Sequence, residues 1–571
     1  MKKNLRVMLL LSIVLSLLFS SCGFLFSKDV QEQTATQEEN SNEGQSSEIG
    51  AVEEAEESQV EEPRYSNEAD AEEGNYVTEG EVVAETAKEE LSSGEAEDES
   101  YPRPIPTQSA PNDDPYGATF FENYGVNPMI DTEDDHFSTF AVDVDSGSYT
   151  IARRWLNDGY MPDKDSVRVE EFVNYFDQGY DYPEGRRAFT INLDGGPAPF
   201  TESSRYQILR VGLQGYTVDA EDREDVSLTF VIDVSGSMDM ENRLGLVKQS
   251  LELLVDQLGR NDRVSIVVYG TDARAILEPT SGNNKEEIID AIYRLQPEGS
   301  TNAEAGIKMG YKMAMQGFLR DGLNRVILCS DGVANVGNTG ADSIWEQVEH
   351  YASEGVTLTT IGFGMGNYND VLMEQLADQG DGFYAYIDTY QESEKLFLEN
   401  LTSTLQVIAL DAKVQVEFNP EVVARYRLIG FENRDIADED FRNDEVDAGE
   451  IGAGHNVTAL YEFKLFEDAR GEVANVMMRW EDPKNHEITE INESIHTRDL
   501  YDDWDEASRY FQWDVLTAEF AEVLRESYWA QDVTFEDILE ELEGIGYWYW
   551  DEDEDRYEMI DMIETAAWLS Q

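Results

Sequence analysis

From residue 226 the chain alternates short apolar runs with segments of helical spacing, and this alternation constrains the fold more than any other feature. The runs are VSLTFVID, DRVSIVVYG, NRVILCSDG and VTLTTIGFG, with helical patterns at 243–257, 301–317 and 341–353. Runs this apolar need cover on both faces. The pattern therefore predicts an α/β fold, a doubly wound and mostly parallel sheet with helices on each side. Ligands of such sheets bind beyond the carboxyl ends of the strands, at a topological switch point.

That edge carries an unusual set of oxygens. The first run ends in FVIDVSGSMD (230–239), which offers Asp233, Ser235 and Ser237 at alternate positions. Thr301 stands just before a helical segment in EGSTNAEAGI, and Asp331 just after a buried run in LCSDGVANVG. Helix capping accounts for one or two of these residues, but not for a Thr and an Asp at their own strand ends. Five oxygen ligands without His or thiolate suit a hard divalent cation such as Mg²⁺. A near-copy, FAVDVDSGSYT (140–150), has one extra residue in its spacing and no α/β companions. It reads as a strand end followed by a helix N-cap.

The set resembles the metal-ion-dependent adhesion site of von Willebrand factor type A domains: Asp-x-Ser-x-Ser, a Thr and an Asp. The resemblance implies a Rossmann-like domain in which Ser235, Ser237 and Thr301 are hydroxyl ligands. Asp233 and Asp331 would bind Mg²⁺ directly or through water, with Mn²⁺ and Ca²⁺ as alternative ions. Two carboxylates leave a doubly charged ion Lewis-acidic, which suits docking of an Asp or Glu from a protein partner. A metal-assisted hydrolase using the same ion is the alternative, but no residue stands out as a base of tuned pKa, so no enzyme is expected. Two further stretches resemble YfbK-like bacterial von Willebrand type A lipoproteins. STFAVDVDSGSYTIARRWLNDG…DSVRVEEFVNYF is similar to their N-terminal segment, and RLIGFENR with DAGEIGAGHNVTALYEF to their C-terminal domain. The likeness covers about 115–565.

Outside the alternating unit the rhythm is different. Residues 188–194 and 206–215 alternate as strands do, and so do four runs between 405 and 480. The expected layout is an antiparallel β-sandwich from 186–220 and 405–485, with the von Willebrand type A unit (221–404) inserted in it. A small N-terminal segment (116–185), read as a short strand around STFAVDV followed by two helices, and a helical C-terminal region (486–571) complete the layout.

The chain begins MKKNLRVMLLLSIVLSLLFSSCG, a basic head and an apolar run too short to span a bilayer, as in a secretory signal. Its end, Phe19-Ser20-Ser21-Cys22, resembles a bacterial lipobox, which implies lipidation of Cys22 and a membrane anchor in the cell envelope, facing periplasm or exterior. Residues 23–100 hold 25 acidic and 3 basic residues. Such a segment, continued to 115, is expected to be a disordered tether reaching roughly 50 Å for ~80 residues. A net charge of −79 argues against nucleic acid and anionic lipid surfaces as partners. The second cysteine, Cys329, ends an apolar run and is expected to be a core thiol.

Weaker signals resolve to structure. The glycines of GEIGAGH (449–455) precede a strand rather than a helix, so they form a turn and not a phosphate cradle. His455 is lone. The aromatics of GIGYWYWDEDED (544–555) are expected to fill a small helical core. No motif for a small-molecule cofactor is present.

Overall fold

The structure, a computed structural model, describes residues 121–571 except 143–144, 186, 202, 220–221, 333–340, 365–369, 400–404, 445, 447 and 547–552. The signal, Cys22, the acidic tether and the run YWYWDE of 547–552 lie outside the described residues.

The chain opens with β1 (Ile130–Asp131), β2 (Phe137–Ala141), α1 (Gly147–Asn157), α2 (Val169–Val173), β3 (Phe189–Pro197) and β4 (Tyr206–Gly215). The alternating unit follows: β5 (Val226–Asp233), α3 (Arg243–Gln257), β6 (Arg263–Tyr269), β7 (Ala273–Ser281), α4 (Lys285–Tyr293), α5 (Ala303–Gly317) and β8 (Leu323–Ser330). It ends with α6 (Ala341–Ser353), β9 (Val356–Phe363), α7 (Asp370–Asp378), β10 (Tyr384–Ile387) and α8 (Tyr390–Glu394). Then come β11 (Val407–Phe418), β12 (Val423–Ile429), β13 (Gly449–Gly452), β14 (Asn456–Leu465), β15 (Glu472–Glu481) and β16 (Ile488–His496). Three helices close the chain: α9 (Arg509–Leu524), α10 (Phe535–Ile545) and α11 (Glu554–Leu569).

The alternating unit forms one sheet of order β10-β9-β8-β5-β6-β7, parallel except for β7. Every residue of β5 is buried, because helices cover both faces. The chain leaves β5 toward β6 and later returns to its other side as β8, so the direction of winding switches at β5. Helix α5 lies close on this strand: a Cβ on Gly310 would stand 2.3 Å from Val231 Cγ2, and one on Gly306 2.6 Å from the Tyr269 ring. Two strands escaped the sequence pattern. Edge strand β7 is half exposed and contains Pro279, and β10 has only four residues.

The flanking strands form two antiparallel sheets, β1-β12-β14-β4-β3 and β13-β11-β15-β16, with β2 also pairing β11. Strand β4, before the α/β unit, pairs with β14 after it, from Tyr206–Lys464 to Gln214–Asn456. The inner faces share one core, in which Leu209, Val211 and Leu213 meet Val414, Val416 and Phe418. The α/β unit is thus inserted in a β-sandwich. One expectation needs correction. The region 486–571 is not wholly helical: it opens with β16, which extends the sheet from β15. That strand is hard to read because only Ile495 is buried in it. In 116–185 the short strand expected around STFAVDV is β2, which pairs β11, and β1 adds to the other sheet of the sandwich.

Helices α9–α11 pack with α1 and α2 in an aromatic-rich core around Phe172, Trp513 and Phe520. Within it, Glu519 lines a cavity of about 60 Å³ beside Ile208, Ile429, Leu460 and Val515. Burial pushes its carboxyl up to about 8, Glu522 and Glu462 add to the rise, and Arg427 opposes it. Since the folded pKa lies above the unfolded one, the protonated carboxyl favours the fold at low pH. That advantage shrinks as pH rises from the ordinary carboxylate range through 8. Glu519→Gln should therefore be more stable than wild type at pH 8, by on the order of a few kcal/mol, and so melt higher, and the two should converge at pH 5. Melting curves at both pH values check this; parallel pH profiles would contradict it.

Candidate metal centre

Strands β5 and β8 are parallel neighbours, paired from Val226–Leu323 to Ile232–Cys329. Asp233 therefore stands at the end of one strand and Ser330-Asp331 at the end of the next. The local turn after β5 is held by the carboxylate itself: Asp233 Oδ1 accepts the Ser235 N–H at 2.7 Å. Ser235 Oγ and Ser237 Oγ lie 3.0 Å apart. On the other side, Ser330 Oγ donates to Asp233 Oδ2 at 3.2 Å. The loop before α5 comes alongside through Glu298, whose N–H donates to the Val234 carbonyl at 2.5 Å. Half-buried Thr301 follows three residues later, next to the N-cap Asn302.

Asp233, Ser235 and Asp331 are buried, and Ser237 is partly exposed. Burial pushes the Asp233 carboxyl up to about 6, against its hydrogen bonds with Ser235 and with the charge of Asp331 adding to the rise. Two buried carboxylates beside three hydroxyls form a site that a small cation would compensate. Among the described residues no group of three or more His, Cys, Asp or Glu gathers to hold a metal. Any ion here would depend on hydroxyls, and this oxygen-only donor set fits Mg²⁺. Asp233, Ser235, Ser237, Thr301 and Asp331 would hold it, and the ion would supply Lewis acidity toward an anionic ligand.

Sequence reasoning missed Ser330 and Arg243. Ser330 directly precedes Asp331 and orients Asp233. Arg243 starts α3 and donates from Nη1 to Asp331 Oδ2 at 2.7 Å. A polar residue closing an otherwise apolar run was the readable signal for Ser330. Nothing in the spacing connects Arg243 to a residue 88 positions away.

The near-copy at 140–150 has a different use. Asp145 accepts the Tyr384 N–H at 3.1 Å and lies 3.5 Å from Arg434, joining β10 to the sandwich. The expected N-cap is corrected in detail: Ser146 makes no side-chain cap bond, and Glu171 accepts the Ser148 N–H at 2.7 Å instead. Asp143 lies outside the described residues. Residues 452–456 form a turn between β13 and β14, and the imidazole of His455 is pushed down to about 4 by burial and by Arg325. Cys329 is buried, and burial raises its thiol pKa.

A mostly parallel sheet wound about β5 with helices on both faces is the fold of a von Willebrand factor type A domain, and residues 227–402 match that family. Residues 403–469 and 463–569 match the family described as "Uncharacterized protein YfbK, C-terminal", and 116–209 one described as "von Willebrand factor". The chain is similar to the YfbK-like von Willebrand factor type A proteins. It is 41% identical to the uncharacterized protein YfbK of Escherichia coli over 356 residues, 61% of this chain and 62% of that protein. The chain thus spans less than two thirds of that relative's length. An uncharacterized Synechocystis protein is 25% identical over 53% of this chain and 72% of its own length. The solved "von Willebrand factor type A from Catenulispora acidiphila" is 14% identical, covers 68% of this chain and 91% of its own, and has a TM-score of 0.42. Von Willebrand type A domains are commonly protein-interaction modules.

Proposed function

We propose that this protein is a membrane-anchored, Mg²⁺-dependent binding module that captures a carboxylate of a protein partner. The observation that carries the reading is the meeting of Asp233, Ser235 and Ser237 with Ser330-Asp331 at the ends of two adjacent parallel strands. Neutral hydroxyls quench a divalent ion only slightly, so the bound ion keeps a strong demand for an anionic ligand. An Asp or Glu of the partner supplies it. Mn²⁺ or Ca²⁺ could take the same place. Pull-downs from envelope extracts with and without chelator test capture, and calorimetric titration of Mg²⁺ tests the site. A partner retained equally in chelator, or no heat of Mg²⁺ binding, would end this reading.

The anchor is part of the proposal and rests on the lipobox-like Phe19-Ser20-Ser21-Cys22. Among the described residues no helix is long and apolar enough to cross a membrane. Acyl chains on Cys22 would give stable attachment to the cell envelope, since two or more chains suffice where one does not. Cys22→Ser is expected to move the protein out of the membrane fraction or to leave an unprocessed precursor. Immunoblotted fractions read this, and unchanged processing and fractionation would remove the lipid anchor from the proposal.

A further inference from the structure

Arg243 is 4% exposed, and its guanidinium reaches Asp331 Oδ2 at 2.7 Å. The chain makes room for it. A Cβ on Gly364, in the loop after β9, would stand 2.2 Å from Arg243 Nε and 2.4 Å from its Cδ, and this glycine has φ +85°. Almost no other residue would leave that slot open. Three elements therefore converge on one buried cation: the start of α3, the end of β8 and the glycine after β9.

We propose that Arg243 is the resident counter-charge of the metal centre and sets the charge that the loaded site shows to a partner. This rests on the metal-site reading above. Asp233 and Asp331 carry two negative charges and Arg243 one positive, so a divalent ion brings the group to a net single positive charge. One partner carboxylate then neutralises it. Without the guanidinium the loaded site would already be neutral and would hold an anion weakly. The difference matters in a chain of net charge −79, whose general field repels acidic ligands. The same guanidinium repels the incoming cation, so Arg243 exchanges metal affinity for carboxylate affinity. If the pair were only a staple between α3 and β8, removing it would loosen the site and weaken metal binding. The two roles predict opposite signs.

The test titrates MgCl₂ calorimetrically into the full-length protein as wild type, Arg243→Gln, Arg243→Met and Arg243→Lys. Thermal unfolding of each, with and without Mg²⁺, accompanies the titrations. Arg243→Gln and Arg243→Met should bind Mg²⁺ roughly tenfold more tightly or better, because a full charge has left the neighbourhood of the ion. Both should melt lower than wild type without metal and gain more from Mg²⁺, since Asp331 has lost its partner. Arg243→Lys, which keeps the charge, should stay near the wild-type affinity. Sodium acetate titrated into Mg²⁺-saturated protein should bind wild type more tightly than the neutral variants. Wild type that binds Mg²⁺ beside folded neutral variants of equal or weaker affinity would overturn this inference alone. Failure of every variant and wild type to bind Mg²⁺ would overturn the metal site and this inference together. Should both neutral variants unfold, acetate decides: no acetate binding to Mg²⁺-saturated wild type would refute the net positive site.

Discussion

Asp233→Ala is expected to abolish Mg²⁺ binding, by at least a hundredfold in affinity, while the protein stays folded. The substitution removes one of the two carboxylates that would hold the ion. The fold should tolerate it because β5 keeps its apolar contacts: Phe230, Val231 and Ile232 are all buried. The lost hydrogen bonds, from Ser235 N–H and Ser330 Oγ, are partly offset by removal of a carboxylate whose charged form is disfavoured by burial. Net changes of this kind stay near 1 kcal/mol or so per bond. Thr301→Ala is the subtler comparison, since its hydroxyl is neutral: it should weaken partner capture more than Mg²⁺ binding. Calorimetry on the three proteins measures this. Equal Mg²⁺ affinity in wild type and Asp233→Ala would show that 233–237 holds no metal.

The largest loss of stability should follow Arg153→Ala. Arg153 lies on α1, buried, and its guanidinium joins four parts of the chain. It donates to Asp388 after β10 at 3.0 Å, to Glu392 on α8 at 2.9 Å, to the Tyr175 hydroxyl at 2.8 Å and to Glu558 on α11 at 3.0 Å. Asp388 and Glu392 are 1% and 10% exposed, so truncation leaves two carboxylates out of water without their counter-charge. Breaking a buried pair in this way costs about 3–5 kcal/mol. The more exposed Glu558 adds little. A fall in melting temperature on the order of 10 °C is expected, with Mg²⁺ affinity at low temperature unchanged, because none of these groups touches Asp233 or Asp331 in the described contacts. An unchanged melting temperature would mean that water screens the cluster and that it does not join the α/β unit to its neighbours.

Much of the site was legible in the sequence because strand–helix alternation fixes where strand ends fall. Once VSLTFVID and NRVILCSDG are parallel strands, Asp233 and Asp331 must lie on the same edge, and parallel register brings the ends together. The two-fold alternation of DVSGS gave the spacing of Ser235 and Ser237. The same logic failed where burial was incomplete. Strand β16 has one buried residue, so its apolar pattern is nearly silent, and edge strand β7 is mostly half exposed.

What the sequence determined by itself was therefore local: a parallel sheet with covered faces, oxygens at its carboxyl edge, and strands on either side of it. These follow from periodicity and from the need to bury apolar runs. Only the tertiary structure decided which distant groups meet. Arg243 finds Asp331, Arg153 collects Asp388, Glu392 and Glu558, and Asp145 serves β10 rather than a metal, although its surrounding letters nearly repeat the metal motif. Charge pairing depends on distances of a few ångströms between residues tens to hundreds of positions apart. Sequence spacing carries no signal of such distances until the sheet order and the helix faces are set.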